Sequence, residues 1–334
     1  MNLDNLYTIL ADQPKFRTTQ VKEAIFKTLI KNWSEASNIP QDLKEKLNKE
    51  CPLEINTDIS QSRDKDTIKT LIKLEDGEHI ETVLMSHKDG RHTVCVSSQV
   101  GCPMACKFCA TGTLGFKRNL TVSEMLEQVL FFARLLKEKD ERVSNVVFMG
   151  MGEPFANYDN VMSVIDYLND SKGLNIGARR ISVSTCGILD GIKKFTQQKL
   201  QINLAISLHA PNDKLRSELM PINKRQPLNK ILQLVHDYVE KTGRKVMFEY
   251  LMIKGVNDSI KHAEQLAGLM QHPLFMVNLI PYNPTGVYLP SDKKTITTFR
   301  QYLEHHDVEV TQRFELGQDI DAACGQLANK KKKK

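Results

Sequence analysis

Residues 102–109 read C-P-M-A-C-K-F-C, so Cys102, Cys106 and Cys109 are spaced as C-x-x-x-C-x-x-C. Three thiolates this close together can bind three irons of a 4Fe-4S cluster. A cluster held entirely by protein, like a structural zinc site, takes four protein ligands. The spacing therefore predicts a cluster with one open iron, which a small molecule carrying an amino and a carboxylate group can chelate.

The alternative for the same run is a zinc site that borrows a fourth ligand such as His92. No second cysteine pair follows in the sequence, as a zinc knuckle would require, and this favours the cluster. An open iron of this kind binds and cleaves S-adenosylmethionine (AdoMet) for radical chemistry. The cysteine spacing resembles the signature of the radical AdoMet superfamily.

The composition is that of an ordinary globular protein of 334 residues. No apolar run approaches the roughly 18 residues that span a membrane, and M-N-L-D-N-L-Y at the N-terminus lacks the pattern of a signal peptide. Of the seven cysteines, the four outside the cluster run lie scattered at positions 51, 95, 186 and 324, unlike a secreted disulfide framework. We expect a cytoplasmic protein with no membrane partner.

The net charge of +6 does not by itself indicate nucleic-acid binding. Five of the positive charges lie in the terminal run of lysines at 330–334, which leaves a net +1 for the rest of the chain. We expect this run to be a solvated basic tail that adds salt-sensitive attraction to phosphates.

From about residue 93 the chain alternates strand-like and helix-like segments. Repeated strand-helix units require parallel strands with right-handed crossovers, so about six units predict an α/β fold, an open or partial (β/α)6-type barrel. Its active face should be the carboxyl end of the strands. The predicted strands are 93–98, 145–149, 180–185, 202–208, 246–253, 276–280 and 308–314, and the predicted helices begin at 121, 159, 189, 228, 260 and 296.

The first 90 residues have a different pattern. Residues 1–55 contain two short amphipathic segments, 16–32 and 43–50, and are predicted to form a helical accessory domain that binds RNA. Residues 56–90 are predicted to be a connector with one or two hairpin strands, with turns at Asp76-Gly77 and Asp89-Gly90. Residues 91–329 would form the catalytic core, followed by the basic tail.

Polar residues follow several of the predicted core strands. Gly152 and Glu153 end a strand, where a glycine lets the backbone approach a ligand and a carboxylate accepts hydrogen bonds from an ammonium group. Ser207 and His209 share one face of the segment 202–209. Taken alone, the first pattern is equally typical of a tight turn, and a single histidine at a strand end is more often structural.

Five motifs then occur in order between Glu81 and Leu327. They are the cysteine run preceded by V-S-S-Q-V-G, then G-M-G-E-P, S-L-H-A-P-N-D, N-L-I-P-Y-N-P and D-I-D-A-A-C-G-Q-L. Together they resemble the RlmN/Cfr family of radical AdoMet RNA adenine methyltransferases. Members of this family have a partial β/α barrel and a small N-terminal helical domain, which agrees with the reading from periodicity.

The resemblance implies a role for each matching residue. Cys324 would carry a methyl group, Cys95 would be its partner thiol, and Glu81 would accept a proton. Cys95 alone would read as a buried strand cysteine, while Cys51 and Cys186 match no functional position. The cluster ligands would be Cys102, Cys106 and Cys109, and the AdoMet contacts would be Gly152, Glu153, Ser184, Ser207, Leu208, His209 and Asn283.

The resemblance also implies a reaction. It is methylation of carbon 2 of an adenine in 23S rRNA and in tRNA, with two AdoMet molecules per turnover, an S-methylcysteine intermediate and a transient disulfide. The reductant would be flavodoxin or ferredoxin, and the protein would be a monomer. One alternative is the carbon-8 branch linked to antibiotic resistance, in which Ala and Cys tend to replace Pro154 and Val100. The other is a non-catalytic, metal-stabilised RNA-binding module.

Overall fold

Twelve strands make up the sheet structure in the computed structural model, which describes residues 1–312 and 316–328. Ten of them form one sheet, and two form a separate hairpin. The strands are β1 (Asn56–Gln61), β2 (Thr67–Lys73), β3 (His79–Ser86), β4 (His92–Cys95), β5 (Gln99–Gly101), β6 (Phe116–Asn119), β7 (Asn145–Phe148), β8 (Ile181–Thr185), β9 (Asn203–Ser207), β10 (Val246–Met252), β11 (Phe275–Pro281) and β12 (Glu309–Gln312).

Eleven α-helices accompany these strands in the described part of the chain. Within those ranges, no helix is both long enough and apolar enough to cross a bilayer. The helices are α1 (Leu3–Ala11), α2 (Lys15–Phe26), α3 (Gln41–Glu50), α4 (Ala110–Thr113), α5 (Val122–Lys137), α6 (Tyr158–Asn169), α7 (Leu189–Phe195), α8 (Asp213–Leu219), α9 (Leu228–Thr242), α10 (Ile260–Leu269) and α11 (Lys293–His305).

Seven parallel strands form the core of the large sheet, in the order β4-β7-β8-β9-β10-β11-β12. Each consecutive pair is joined by a crossover that contains at least one helix, which confirms the predicted partial (β/α)6-type barrel. Both faces of a parallel sheet are usually covered, and β10 and β11 accordingly read as V-M-F-E-Y-L-M and F-M-V-N-L-I-P, with buried residues at nearly every position. The predicted strand 308–314 is β12 as far as residue 312, and residues 313 and 314 lie outside the described ranges.

Helix α5 shows how sequence determines one of these crossovers. The Thr121 side chain accepts a hydrogen bond from the Glu124 backbone N–H, while Glu124 Oε2 accepts one from the Thr121 N–H at 2.8 Å. This is the predicted capping box, which satisfies two donors at the start of the helix. The apolar face of α5, at Met125, Val129 and Phe132, is fully buried.

Residues 56–86 correct the prediction of one or two hairpin strands. They form three antiparallel strands, and β3 pairs with β4, so this segment extends the core sheet rather than standing beside it. The third strand is hard to predict from sequence because β1, N-T-D-I-S-Q, is a mostly exposed, polar edge strand without an apolar face. The predicted turns are present, since Gly77 and Gly90 both have positive φ.

The N-terminal region is helical, as predicted, and joins the same continuous hydrophobic core as the barrel. Helix α1 was not predicted, and α2 ends at Phe26 rather than near residue 32. Trp33 is fully buried and its Nε1–H donates to the Cys51 carbonyl at 2.8 Å. Cys51 is therefore part of the packing of this region, in agreement with a structural thiol.

The C-terminal segment, residues 316–328, crosses the carboxyl end of the barrel. Its hydrogen bonds reach the antiparallel strands on one side, the loop after β11 on another, and the loop of the cysteine run between them. These bonds are Arg63 N to Asp319 Oδ2 (2.9 Å), Lys69 Nζ to Asp321 O (3.2 Å), Ala328 N to Glu81 Oε2 (2.7 Å), Asn283 Nδ2 to Cys324 O (3.3 Å), Gln326 Nε2 to Pro284 O (3.4 Å), Ala110 N to Gly325 O (2.7 Å) and Thr111 Oγ1 to Leu327 O (2.7 Å).

The β5-β6 hairpin yields a stability prediction. Gly101 has a φ of +74°, and a Cβ there would lie 1.9 Å from the Gly115 carbonyl oxygen, whereas a Cβ on Gly115 (φ +73°) meets nothing within 4 Å. We expect Gly115→Ala to lower the free energy of unfolding by about 1–2 kcal/mol, the cost of a left-handed alanine. Gly101→Ala should lose clearly more, because the carbonyl that accepts the Cys102 N–H must move. Urea denaturation of both variants would measure this, and equal losses would contradict it.

Candidate active site

The three cysteines of the run lie on one loop between β5 and α4, at the carboxyl end of the barrel. The loop is fixed by its own backbone, since the Cys102 N–H donates to the Gly115 carbonyl at 2.9 Å and the Cys109 N–H to the Cys106 carbonyl at 3.2 Å. All three side chains pack against a second apolar cluster, separate from the main core, formed by Met104, Phe108, Cys186, Ala210, Leu219, Met220, Leu251, Ile253, Ile280 and Tyr282.

Burial controls the protonation of these thiols. It raises the pKa of Cys102 to about 12 and also raises the pKa of Cys106 and Cys109. Thiols in such an environment stay protonated unless a metal displaces the proton. Three buried thiols on one loop that a metal can deprotonate together form a donor set that fits a metal cluster.

The spacing of the sulfur atoms distinguishes a cluster from a single zinc ion. Zinc–sulfur bonds of about 2.3 Å in a tetrahedron put neighbouring sulfur atoms about 3.8 Å apart. Among the residues described, the only trio of His, Cys, Asp or Glu donors that lie within 4.8 Å of one another is His236, Glu240 and His272. The three cysteine sulfurs are therefore spread more widely than one zinc ion requires.

His92 does not supply the fourth ligand that a zinc site would need. It begins β4, at the end of the strand opposite the cysteine loop. Its Nδ1 is 3.0 Å from Ser86 Oγ and its Nε2 is 3.5 Å from Glu141 Oε2. The residues present thus fit a three-cysteine iron-sulfur cluster rather than the zinc alternative.

Glu153 follows β7 and is almost completely buried beside this loop. Its Oε1 accepts a hydrogen bond from the Phe155 N–H at 2.9 Å, and its Oε2 accepts one from the Cys186 N–H at 2.8 Å. Burial raises its pKa, while these backbone donors counteract the shift. The preceding Gly152 has a φ of +98°, and a Cβ there would lie 2.5 Å from the Gln99 side chain. The carboxylate is thus held by two backbone N–H groups in the wall of the cavity.

Ser184 and Ser207 end the neighbouring strands β8 and β9 and lie 3.1 Å apart through their hydroxyl oxygens. Both donate to Oε2 of Glu249, at 2.5 and 3.2 Å respectively. Glu249 is buried, lines the same cavity and was not predicted as a site residue. The available signal was a charged residue in the middle of the apolar strand V-M-F-E-Y-L-M.

His209 and Leu208 follow β9. Burial, reinforced by Arg216, lowers the pKa of His209 to about 3, and its Nδ1 accepts a hydrogen bond from the Leu251 N–H at 3.2 Å. His209 is therefore neutral, and its ring stands edge-on to Phe108 with centroids 4.8 Å apart. Leu208 lines neither cavity. Its side chain lies in the main core, its N–H donates to the Glu249 carbonyl at 3.0 Å, and its carbonyl accepts a hydrogen bond from Arg216 Nε at 3.2 Å.

One cavity joins these groups. Its lining includes the three cysteines of the loop, Gly152, Glu153, Ser184, Ser207, Glu249, His209 and Cys324. It brings three thiols together with carboxylates and hydroxyls, which are groups able to bind a metal, an ammonium group and a sugar respectively. Cys186, for which the sequence suggested no function, also lines it.

A second cavity of about 410 Å³ adjoins the first. It is lined by Cys95 and Asn283, while Cys109, Cys324 and Gly325 line both cavities. Asn283 is not among the residues lining the first cavity, and its side-chain amide contacts Cys324 O and Gln318. Cys324 therefore lies at the junction between the cysteine loop and Cys95.

Glu81 lies on β3, outside both cavity linings. It is nearly inaccessible, and its Oε1 lies 3.0 Å from Lys69 Nζ while its Oε2 accepts the Ala328 N–H at 2.7 Å. The next residue, Thr82, donates its hydroxyl to the Cys95 carbonyl at 2.8 Å. Glu81 thus connects the C-terminal segment that carries Cys324 to the strand next to Cys95.

Comparison with known proteins agrees with this geometry. Residues 96–267 match the radical SAM superfamily, where SAM is AdoMet. The chain is 46% identical to a probable dual-specificity RNA methyltransferase RlmN of Dictyoglomus thermophilum, over 98% of this chain and 94% of that protein. It is 47% identical to the protein of the same name from Bacillus thuringiensis, over 96% of this chain and 89% of that one.

A solved structure gives the same result. The crystal structure of a radical SAM methyltransferase from Sphaerobacter thermophilus superimposes with a TM-score of 0.94 and 43% identity, covering 99% of this chain and 98% of the other. Sequence and fold agree over almost the whole length. The chain therefore belongs to the radical SAM superfamily and, within it, to the RlmN family of RNA methyltransferases.

Proposed function

We propose that this protein methylates carbon 2 of an adenine in 23S rRNA and in tRNA, through an S-methylated Cys324 and a transient disulfide with Cys95. Membership of the family implies a 4Fe-4S cluster and the use of AdoMet. The two RNA substrates are proposed because the relatives are named dual-specificity RNA methyltransferases.

The observation that carries the proposal is the position of Cys324 between two cavities. One cavity contains the three cysteines proposed as cluster ligands, and the other contains Cys95. A methyl carrier must be reached by the radical generated at the cluster and also by the RNA base. Cys324 is the described cysteine outside the run that lines both spaces.

The chemistry explains why two thiols are needed. Carbon 2 of adenine is not nucleophilic, so a direct polar attack on the AdoMet methyl group is unavailable. The cluster, when bound, would supply one electron that cleaves AdoMet and produces a 5'-deoxyadenosyl radical. A first AdoMet would transfer its methyl group to the Cys324 thiolate. The radical from a second AdoMet would then remove a hydrogen atom from that methyl group.

The remaining steps attach the methylene group to the RNA and then release it from Cys324. The S-methylene radical would add to carbon 2 and link Cys324 to the RNA. The adduct would then return one electron to the cluster, which AdoMet cleavage leaves oxidised, and would give its ring proton to Glu81, the proposed acceptor. The Cys95 thiolate attacks the Cys324 sulfur and breaks its bond to carbon, and the released carbon takes a proton to become the methyl group. The product is a Cys95–Cys324 disulfide, which an external reductant must reduce.

Other residues are proposed to bind AdoMet. Glu153 would hold the AdoMet ammonium group, and Ser184, Ser207 and the backbone of Leu208 to His209 would contact the rest of the molecule. Asn283 would contact AdoMet from its position next to Cys324, whose carbonyl accepts a hydrogen bond from the Asn283 side chain. The adenine must leave its stack to enter the second cavity, so an RNA loop is a better substrate than a helix.

We propose residues 1–55 as an RNA-binding accessory domain, 56–90 as a strand-containing connector and 91–329 as the catalytic core of a monomer. The proposed basic tail at 330–334 lies outside the described residues. Flavodoxin or ferredoxin would supply electrons.

The cluster assignment predicts the behaviour of Cys106→Ala. The variant should lose the visible iron-sulfur absorption and all 5'-deoxyadenosine formation after anaerobic reconstitution, because two thiolates cannot hold a site-differentiated cluster. Cys51→Ala is the matched control, since Cys51 is buried in the N-terminal region, away from both cavities. A Cys106→Ala protein that still cleaves AdoMet at the wild-type rate would exclude the assignment.

The paired cysteines predict a trapped intermediate. Cys95→Ala should still attach RNA to Cys324 but should not release it, so the variant should purify with covalently bound RNA that survives denaturant. The adduct should disappear in the Cys95→Ala/Cys324→Ala double variant. Gel electrophoresis with ribonuclease treatment and peptide mass spectrometry would detect it. Normal turnover by Cys95→Ala would refute the proposed resolution step.

The site of methylation is tested by mass spectrometry of nucleosides from a strain with and without the protein. We expect 2-methyladenosine in both 23S rRNA and tRNA only when the protein is present. 8-Methyladenosine would identify the carbon-8 alternative, and modification of rRNA alone would remove the second substrate. The absence of any methylated adenosine, together with no AdoMet cleavage, would favour a non-catalytic RNA-binding module.

A further inference from the structure

Arg216, on helix α8, is a completely buried arginine beneath the site. Its guanidinium donates to four acceptors, all of them neutral. They are Leu208 O (3.2 Å), Ser207 O (3.0 Å), Cys186 O (2.6 Å) and Asn223 Oδ1 (2.6 Å). Neither the sequence nor the family motifs marked this residue, because D-K-L-R-S-E-L reads as an ordinary polar helix.

The missing element is a negative partner. Within residues 1–312 and 316–328, no carboxylate oxygen lies within ion-pair distance of this guanidinium. The carboxylate that most affects it is Asp213, whose Oδ1 instead accepts hydrogen bonds from Asn223 Nδ2 and the Leu228 N–H. A buried charge without an opposite charge costs several kcal/mol, even when it is well hydrogen-bonded. The position therefore requires a source of negative charge.

The neighbouring groups show where that charge would come from. Arg216 Nη2 donates to the Cys186 carbonyl at 2.6 Å, and Cys186 lines the cavity that also contains Cys102, Cys106 and Cys109. Helix α8 also contacts the cysteine loop directly, since the Lys107 N–H donates to the Leu219 carbonyl at 2.9 Å. The guanidinium thus lies close to the place where three thiolates and a cluster would concentrate negative charge.

Arg216 also connects the strand ends that form the cavity. It bonds the carbonyls of Cys186, just after β8, and Ser207, at the end of β9. The Cys186 N–H in turn donates to Glu153, which follows β7. One side chain therefore contacts two of the strand ends that carry proposed AdoMet ligands.

We infer that Arg216 is a positioning residue that acts as the fixed counter-charge of the iron-sulfur cluster and stabilises its one-electron reduced form. The inference rests on the cluster that family membership implies and does not depend on which RNA or which carbon is methylated. Reduction adds one negative charge to the cluster, and a nearby buried cation stabilises that state more than the oxidised one. Arg216 thus makes the electron transfer that precedes AdoMet cleavage easier.

The test is a reduction potential, measured by titrating the anaerobically reconstituted protein with dithionite and following the reduced cluster by electron paramagnetic resonance. No RNA is added, so failure of the proposed methylation would not affect the result. For Arg216→Gln we expect the ratio of reduced to oxidised cluster at a fixed potential to fall about tenfold, which corresponds to about 59 mV for a one-electron couple. Arg216→Lys, which keeps the charge, should stay near wild type.

Arg134→Gln is the matched control, because Arg134 is a half-buried arginine on α5 that donates to the Leu53 carbonyl and lines neither cavity. Its potential should equal that of the wild type. A wild-type potential in Arg216→Gln would overturn the inference. So would an equal fall in Arg216→Lys, because geometry rather than charge would then be responsible.

A second variant covers the case in which Arg216→Gln does not retain iron. Arg216→Ala leaves a space that ethylguanidinium or the neutral ethylurea can fill. The charged guest should restore a higher reduction potential than the neutral guest at equal iron content. Equal potentials with the two guests would refute the role of charge.

Discussion

Parallel pairing of seven strands is the constraint on which the rest of this structure depends. Because every strand of β4 and β7–β12 runs in the same direction, their carboxyl ends meet at one rim. Glu153, Ser184 and Ser207 come from three different crossovers yet line one cavity. The cysteine loop lies between β5 and β6, which form their own hairpin outside the main sheet.

Buried charge at this rim is held by hydrogen bonds that leave few alternative arrangements. Glu153 accepts two backbone N–H groups, and Glu249 accepts two hydroxyls. Arg216 donates to four neutral acceptors. Each group would be costly to bury without such partners. The same hydrogen bonds offset the desolvation cost of these groups and fix the strand ends relative to one another.

The C-terminal segment completes the site from outside the barrel units. It is bonded to Lys69 and Glu81 on the antiparallel strands and to Asn283 after β11. These contacts place Cys324 between the two cavities. The antiparallel extension β1–β3 therefore has a structural consequence for the site, since it provides one side of the attachment of this segment.

The sequence by itself determined the alternation of strands and helices, the cysteine run and the capping box of α5, because these depend on spacing within one short segment. It also allowed the family resemblance, which depends on motifs in order. Tertiary structure alone decided that residues 56–86 extend the core sheet, that Glu249 lines the site with Arg216 buried behind its strand ends, and that Cys324 lines both cavities. The physical reason is that edge pairing, burial of a charge and closure by a distant segment depend on contacts between residues far apart in the chain, which local periodicity does not encode.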